Sequence, residues 1–151
     1  MNPFVRLIRL YYAASHLPEY LAPAFDLGLR LLLADVFLKS GLTKIKNWDS
    51  TLYLFNDVYS VPLLPPDVAA YLATSAELGL PILLVLGLFG RFAAAGLFIL
   101  NAVAAISYPD LSEAGLNQHV YWGLMLTVLL LTSRWQWSMD FWLEKRLSKF
   151  A

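Results

Sequence analysis

Cysteine is missing from this chain of 151 residues, which removes disulfides, thiolate metal ligands and any internal thiol relay from its chemistry. Charge is also scarce. Asp, Glu, Lys and Arg make up 15% of the residues, where a soluble globular domain carries about 25%. The few charges cancel, eleven basic against eleven acidic, so no summed field draws nucleic acid toward the chain and none is expected as a partner. Histidine occurs twice, as His16 and His119. There is no HExxH, Asp-rich loop, glycine-rich phosphate loop or nucleophile elbow, so no metal site is expected and no catalytic residue can be named. Between Met1 and Pro23, aromatics and prolines stand where a secretory signal would place its apolar region and cleavage site. The N-terminus is therefore expected to be retained.

Apolar residues are what the chain has in excess, at 59%. They gather into four stretches, residues 24–44, 67–89, 92–108 and 119–133, each about long enough to cross a hydrocarbon core of roughly 30 Å as a helix. A lipid-exposed backbone must satisfy its own hydrogen bonds, and the many alternating strands of a closed barrel are missing. The expected fold is an all-α membrane protein: one domain over residues 1–151, an antiparallel bundle of four transmembrane helices. Two flanking segments, Phe4 to Tyr20 and Asp140 to Phe150, are too short and too polar to span and read as N- and C-terminal interfacial helices.

Proline and glycine punctuate the spans. Pro62, Pro65 and Pro66 precede the second, with Asp67 as an expected N-cap. Gly87 and Gly90 mark a tight turn into the third, which Pro109 follows. Pro81 falls inside the second helix, where it removes a backbone donor and frees a carbonyl. Arg6, Arg9, Arg91, Arg134, Lys145, Arg146 and Lys149 fall on one side of such a bundle, against Lys44 and Lys46 on the other. Positive charge marks the cytoplasmic side, which predicts that both termini are cytoplasmic. The expected location is the bacterial inner membrane, as a multi-pass protein. Trp48, Tyr53, Tyr59, Tyr108, Tyr121, Trp122, Trp135 and Trp137 lie near helix ends, as interfacial anchors do.

Ionisable groups inside a membrane helix cost about 2.5 to 3.5 kcal/mol each on insertion scales, so each is a candidate for function. Arg30, Phe37, Gly41 and Lys44 share one stripe of the first helix, beside Ser40. Asp35 and Lys39 sit on another side, four apart with the acid first, the spacing for an intrahelical pair. Glu77 has no basic residue within a turn, and its expected partner is Arg30, Lys39 or Lys44 on another helix. Asn101, Gln118, His119 and Tyr121 could add hydrogen-bonding groups. The candidate polar pocket is therefore Arg30, Lys39, Lys44, Glu77, Asn101 and His119. A buried clamp that only fixes packing is the competing reading of the same charges. His16 and His119 fall on opposite sides of the membrane, so they cannot ligate one haem within a protomer.

Taken in order, Arg30, Phe37, Ser40-Gly41, Lys44, Glu77 in Ala-Glu-Leu-Gly-Leu-Pro, the run Leu86 to Arg91, His119 with Trp122-Gly123, and Ser138-Met139-Asp140 make the chain resemble the DoxX family of small four-helix membrane proteins. The likeness extends from Asp26 to Phe141. The run from Asp35 to Lys44, with Trp48-Asp49 and Tyr59 to Pro66, is similar to the HvfX-type branch. The family resemblance implies association with membrane redox complexes, a thiosulfate:quinone oxidoreductase among them, and with oxidative-stress defence. The branch implies an accessory role near systems that make modified, metal-binding secreted peptides, hence metal stress. The expected function is a membrane accessory subunit binding a small ligand, a quinone being one such ligand, or a partner protein. The alternative is a scaffold or chaperone for membrane partners without ligand chemistry. Membrane lipid and either a membrane-protein partner or a second copy are the expected partners, and whether the chain is an enzyme is left open.

Overall fold

The structure, a computed structural model, describes residues 3–15, 17–132 and 138–148. Among these it is all-helical. His16, Arg134, Trp135, Trp137, Lys149 and Phe150, which entered the sequence reading, lie outside the described residues. The helices are α1 (Pro3–Ser15), α2 (Leu17–Lys46), α3 (Trp48–Tyr53) running into a π-helical turn (Leu54–Val58), α4 (Pro66–Leu86), α5 (Gly90–Ser107), α6 (Glu113–Thr132) and α7 (Met139–Leu147).

Four long helices form the body: α2 packs on α4, α4 on α5, α5 on α6, and α6 closes the ring onto α2. Their levels can be read from close approaches. A Cβ on Gly41 would meet Glu77 and Leu78, one on Gly96 would meet Leu80, and one on Gly123 would meet Asn101 and Phe98. Arg30 reaches Leu84, so neighbouring α2 and α4 run in opposite directions. The order of the pairs makes α5 antiparallel to α4 and to α6.

By length and composition, two helices, Pro66–Leu86 and Gly90–Ser107, suffice to cross a membrane. Only 33% of each apolar window is buried, whereas the core helix of a soluble protein would hide most of its apolar residues. Phe92, Ile99 and Ile106 are among the apolar side chains that α5 turns outward. Helix α2 breaks its apolar run with Asp26, Arg30, Asp35, Lys39 and Lys44, and α6 opens on the polar residues Glu113, Asn117, Gln118 and His119.

Local chemistry explains the ends. Pro66 occupies the first turn of α4 after Pro65, with Asp67 inside that turn rather than at the cap. Gly87 closes α4 in the left-handed region at φ 64°, a conformation that costs a side chain dearly. Helix α6 begins at Glu113, six residues before the apolar stretch, because Ser112 Oγ accepts from Gly115 N and Ser112 O from Leu116 N. The N-terminal segment divides differently from expectation. Helix α1 stops at Ser15, and α2 starts at Leu17, carrying Pro23 within it.

Two apolar clusters result. The larger, toward the α4–α5 turn, joins Leu33, Phe37, Leu84, Ala93, Ala94, Leu97, Leu126 and Leu129. The smaller lies at the opposite end under α3 and the π turn, where Phe55, Ala69 and Ala70 pack with Trp48, Leu52 and Tyr59.

Candidate functional site

Between the two clusters the bundle carries polar side chains. Ser40 and Lys44 face it from α2, Thr74 and Glu77 from α4, Asn101 from α5 and His119 from α6, with Ser107 at the end of α5 beside the smaller cluster. Glu77, Thr74, Asn101 and Ser107 are buried. The sequence rule that puts i and i+4 on one helix face brings Ser40 and Lys44 together, and Gly41 lets α4 come close enough for Glu77 to join them.

Lys44 is the cross-helix partner of Glu77. Its Nζ donates to Oε2 at 2.7 Å and to Oε1 at 2.8 Å, and also to Ser40 Oγ at 2.9 Å. Ser40 in turn donates to Glu77 Oε1 at 3.1 Å. Both carboxylate oxygens and the ammonium are thus engaged within one three-residue cluster, with side chains 9% and 18% exposed for Glu77 and Lys44. Low exposure with every strong partner in place is what a buried ion pair needs to hold together.

A second cluster joins α5 to α6. Asn101 Nδ2 donates to the His119 carbonyl at 2.8 Å, and Asn101 Oδ1 lies 2.8 Å from His119 Nδ1. Because the amide nitrogen must face the carbonyl, the amide oxygen faces the ring, and Nδ1 must be the protonated ring nitrogen in the neutral imidazole. Nε2 then carries the lone pair. Trp122 sits edge-on to the ring at 5.1 Å and in turn contacts Phe37 of α2 at 6.4 Å.

Above these, Tyr59 packs edge-to-face on Tyr108 at 5.6 Å and on Phe55 at 5.1 Å. Ser60 N donates to Ser107 O at 2.8 Å, which ties the loop to the end of α5. Burial pushes the Tyr59 hydroxyl above its usual titration range, and Tyr108 and Glu77 nearby add to the effect. Thr74 Oγ1 and Ser107 Oγ are buried with no hydrogen-bond partner among the described residues, although buried hydroxyls are nearly always satisfied.

The six sequence candidates do not form one pocket. Lys44, Glu77, Asn101 and His119 lie in the polar layer, as two separately hydrogen-bonded pairs. Arg30 lies at the far end, where Nε meets Asp26 Oδ2 at 2.6 Å and Nη1 reaches Leu84 O at 3.3 Å. Lys39 pairs with Asp35 at 2.7 Å, as the spacing predicts, on the outward face of α2. Sequence reasoning missed Asp26, although Asp26 and Arg30 have the same acid-first, four-residue spacing that reveals Asp35 and Lys39. It also missed Thr74, Ser107 and the role of Asp140, because hydroxyls, and a carboxylate in the first turn of a short helix outside the expected spans, carry little insertion cost that would draw the eye.

Asp140 closes the α4–α5 turn. Its carboxylate accepts from Phe89 N at 2.9 Å and Gly90 N at 3.0 Å, the free donors at the start of α5, and its own N–H donates to Gly87 O. The Leu86 to Arg91 and Ser138 to Asp140 motifs are therefore two halves of one joint. A cavity of about 380 Å³ lies there, lined by Phe89, Arg91, Phe92, Phe141 and Glu144 with Ser138 and Asp140. It lies at the opposite end from the polar layer.

A model of the DoxX family matches residues 25–109, a stretch that includes the Lys44–Glu77 cluster and Asn101. A Haemophilus influenzae protein described as uncharacterized is 31% identical over 126 residues, covering 78% of this chain and 82% of that one. No solved structure matches.

Proposed function

The chain belongs to the DoxX family of membrane-associated proteins, and from that premise we propose that it is an accessory subunit whose polar layer binds the headgroup of a small carbonyl- or hydroxyl-bearing ligand of the quinone class. In this reading all four long helices cross the bacterial inner membrane with both termini cytoplasmic, and the polar layer lies in the outer half. The observation that carries the proposal is the Asn101 clamp on His119. A ring held in one tautomer presents Nε2 as a fixed acceptor, suited to a quinol hydroxyl, and a packing contact alone has no need to fix it. The unpartnered hydroxyls of Thr74 and Ser107 are donors of the kind a quinone carbonyl takes. The HvfX-type resemblance adds the setting, a redox or metal-stress pathway attached to secreted metal-binding peptides.

The scaffold reading draws support from a different observation. The Lys44–Glu77–Ser40 cluster satisfies itself, so it serves best as a clamp between α2 and α4. The two readings are compatible, with Glu77 holding the bundle and His119 addressing the ligand.

The test is to purify the chain in mild detergent, analyse co-extracted small molecules by mass spectrometry, and titrate with a short-tailed quinone while reading intrinsic tryptophan fluorescence. Saturable binding that weakens tenfold or more in His119→Ala, at unchanged helicity, is the expected result. Equal affinity in the variant rejects the His119 site, and no binding by the wild-type chain leaves the scaffold reading. Reporter fusions at the C-terminus and at Asp49 check the topology, active on opposite sides of the membrane if α2 spans.

A further inference from the structure

Helix α2 turns an ion pair away from the bundle. Asp35 and Lys39, bonded at 2.7 Å, are 59% and 74% exposed, unlike the buried Asp26–Arg30 and Lys44–Glu77 pairs. Gly41, level with Glu77 near the middle of α4, fixes their depth. Asp35 is six residues and Lys39 two residues from Gly41, or about 9 and 3 Å along the axis. The hydrocarbon core extends about 15 Å to either side of its centre. On the four-span reading above, on which this inference rests, both charges face lipid deep in the membrane, where neither water nor a headgroup reaches them easily.

The pair is also the centre of a longer pattern. Gly28, Leu32, Asp35, Lys39, Leu42 and Lys46 follow one another in steps of four and three, and all are exposed. That alternation is the seam of a helix pair. Leu32 and Leu42, 47% and 51% exposed, flank the charges, and a Cβ at Gly28 would meet nothing within 4 Å, leaving room for a facing backbone. Two copies inserted in the same orientation are related by a twofold axis along the membrane normal, which sets their α2 helices parallel, as this seam requires.

We propose that this face is the homodimer interface, in which Asp35 of each copy reaches Lys39 of the other. The pair is neutral as a unit and complementary to itself under that twofold. A second copy supplies the matching charges at the matching spacing, where any other helix would need the same acid and base one turn apart. Four charges then form a closed ring shielded by Leu32 and Leu42.

Complementation tests this in the full-length chain. Asp35→Lys and Lys39→Asp each fill the seam of a homodimer with four like charges, two from each copy, opposite in sign between the variants. Native mass spectrometry in mild detergent should give a dimer for the wild type and a loss of dimer of tenfold or more for each variant. Co-expressed with different affinity tags, the two variants should purify together. A monomeric wild type, variants that dimerise normally, a mixed pair that fails to co-purify, or a partner of different mass each overturns the proposal.

Should a variant fail to insert, the absence of cysteine provides another measurement. Leu42→Cys should give an oxidised dimer in membranes, and Ile99→Cys, exposed on α5, should not. Equal products, or none, overturn the interface. A Leu42→Cys thiol labelled by a membrane-impermeant maleimide means that the spanning reading has failed. A shielded thiol without cross-link means that only the dimer has.

Discussion

Replacing Glu77 by Leu removes the anion from a cluster in which Lys44 makes three of its strong contacts, two of them to that carboxylate. What remains is an ammonium whose hydrogen-bond partner among the described residues is Ser40 Oγ, on a side chain 18% exposed. Breaking a buried pair by deleting one partner costs about 3 to 5 kcal/mol, and the residual exposure and the Ser40 contact place this case near the lower end, about 3 kcal/mol. That is roughly two orders of magnitude in the folding constant. Glu77→Gln keeps a neutral acceptor for Lys44 and should cost about half as much, since a hydrogen bond to a charged group is worth about 1.5 to 3 kcal/mol. Removing both charges in Lys44→Met with Glu77→Leu should return to within about 1 kcal/mol of the wild type, because well-packed apolar substitutes replace buried pairs with little loss. The assay is reversible unfolding in mixed micelles, followed by far-ultraviolet circular dichroism on these three variants and on Lys44→Met alone. A single-variant cost below about 1 kcal/mol, or a double variant as unstable as the sum of the two singles, would refute the clamp.

Gly87→Ala should cost about 2 to 3 kcal/mol. The left-handed backbone accounts for about 1 to 2 of that, and the new Cβ would stand 2.7 Å from Ser138 Cβ and 2.8 Å from Arg30 Nη1. Faster hydrogen exchange at the Asp140 amide, bonded to Gly87 O, should accompany it. Asp140→Ala should cost about 1 to 2 kcal/mol, the range for loss of a helix N-terminal cap, and should expose the Phe89 and Gly90 amides to exchange while leaving that of Leu97 protected. Tyr59 makes a pH prediction. Its folded-state hydroxyl titrates above the unfolded value of 10.0, so above about pH 10 the unfolded chain releases a proton that the folded chain retains. Stability attached to this group is intact below that pH and falls as pH rises toward the folded value. Tyr59→Phe should flatten that alkaline loss relative to wild type, and equal slopes would show that the tyrosine does not contribute.

Much of this was legible in the amino-acid sequence. Apolar runs located the four long helices, since hydropathy reports surface that water would reject, and prolines and Gly87 marked the joints, since their backbone constraints are local. Both i,i+4 pairs of α2 were also there to be read, Asp35–Lys39 and the overlooked Asp26–Arg30, because one helix turn fixes the distance between them without reference to any other element. Helix ends were less legible. The polar opening of α6, Glu113 to Gln118, continues a helix past the apolar stretch, and hydrogen bonding rather than hydropathy decides where a helix starts.

Tertiary structure alone decided which cation Glu77 meets. Arg30, Lys39 and Lys44 were equivalent partners on chemistry. The choice fell to the relative height and rotation of α2 and α4, which bring Gly41 against Glu77 and leave Arg30 near Leu84. The same registry separated Lys39, turned outward, from the Lys44 cluster, and set Asn101 against His119 across eighteen residues of chain. A sequence determines which groups each helix carries and on which of its faces. Which faces meet, and so which charges are clamped, held for a ligand or left open to a partner, depends on packing between helices that no local pattern encodes.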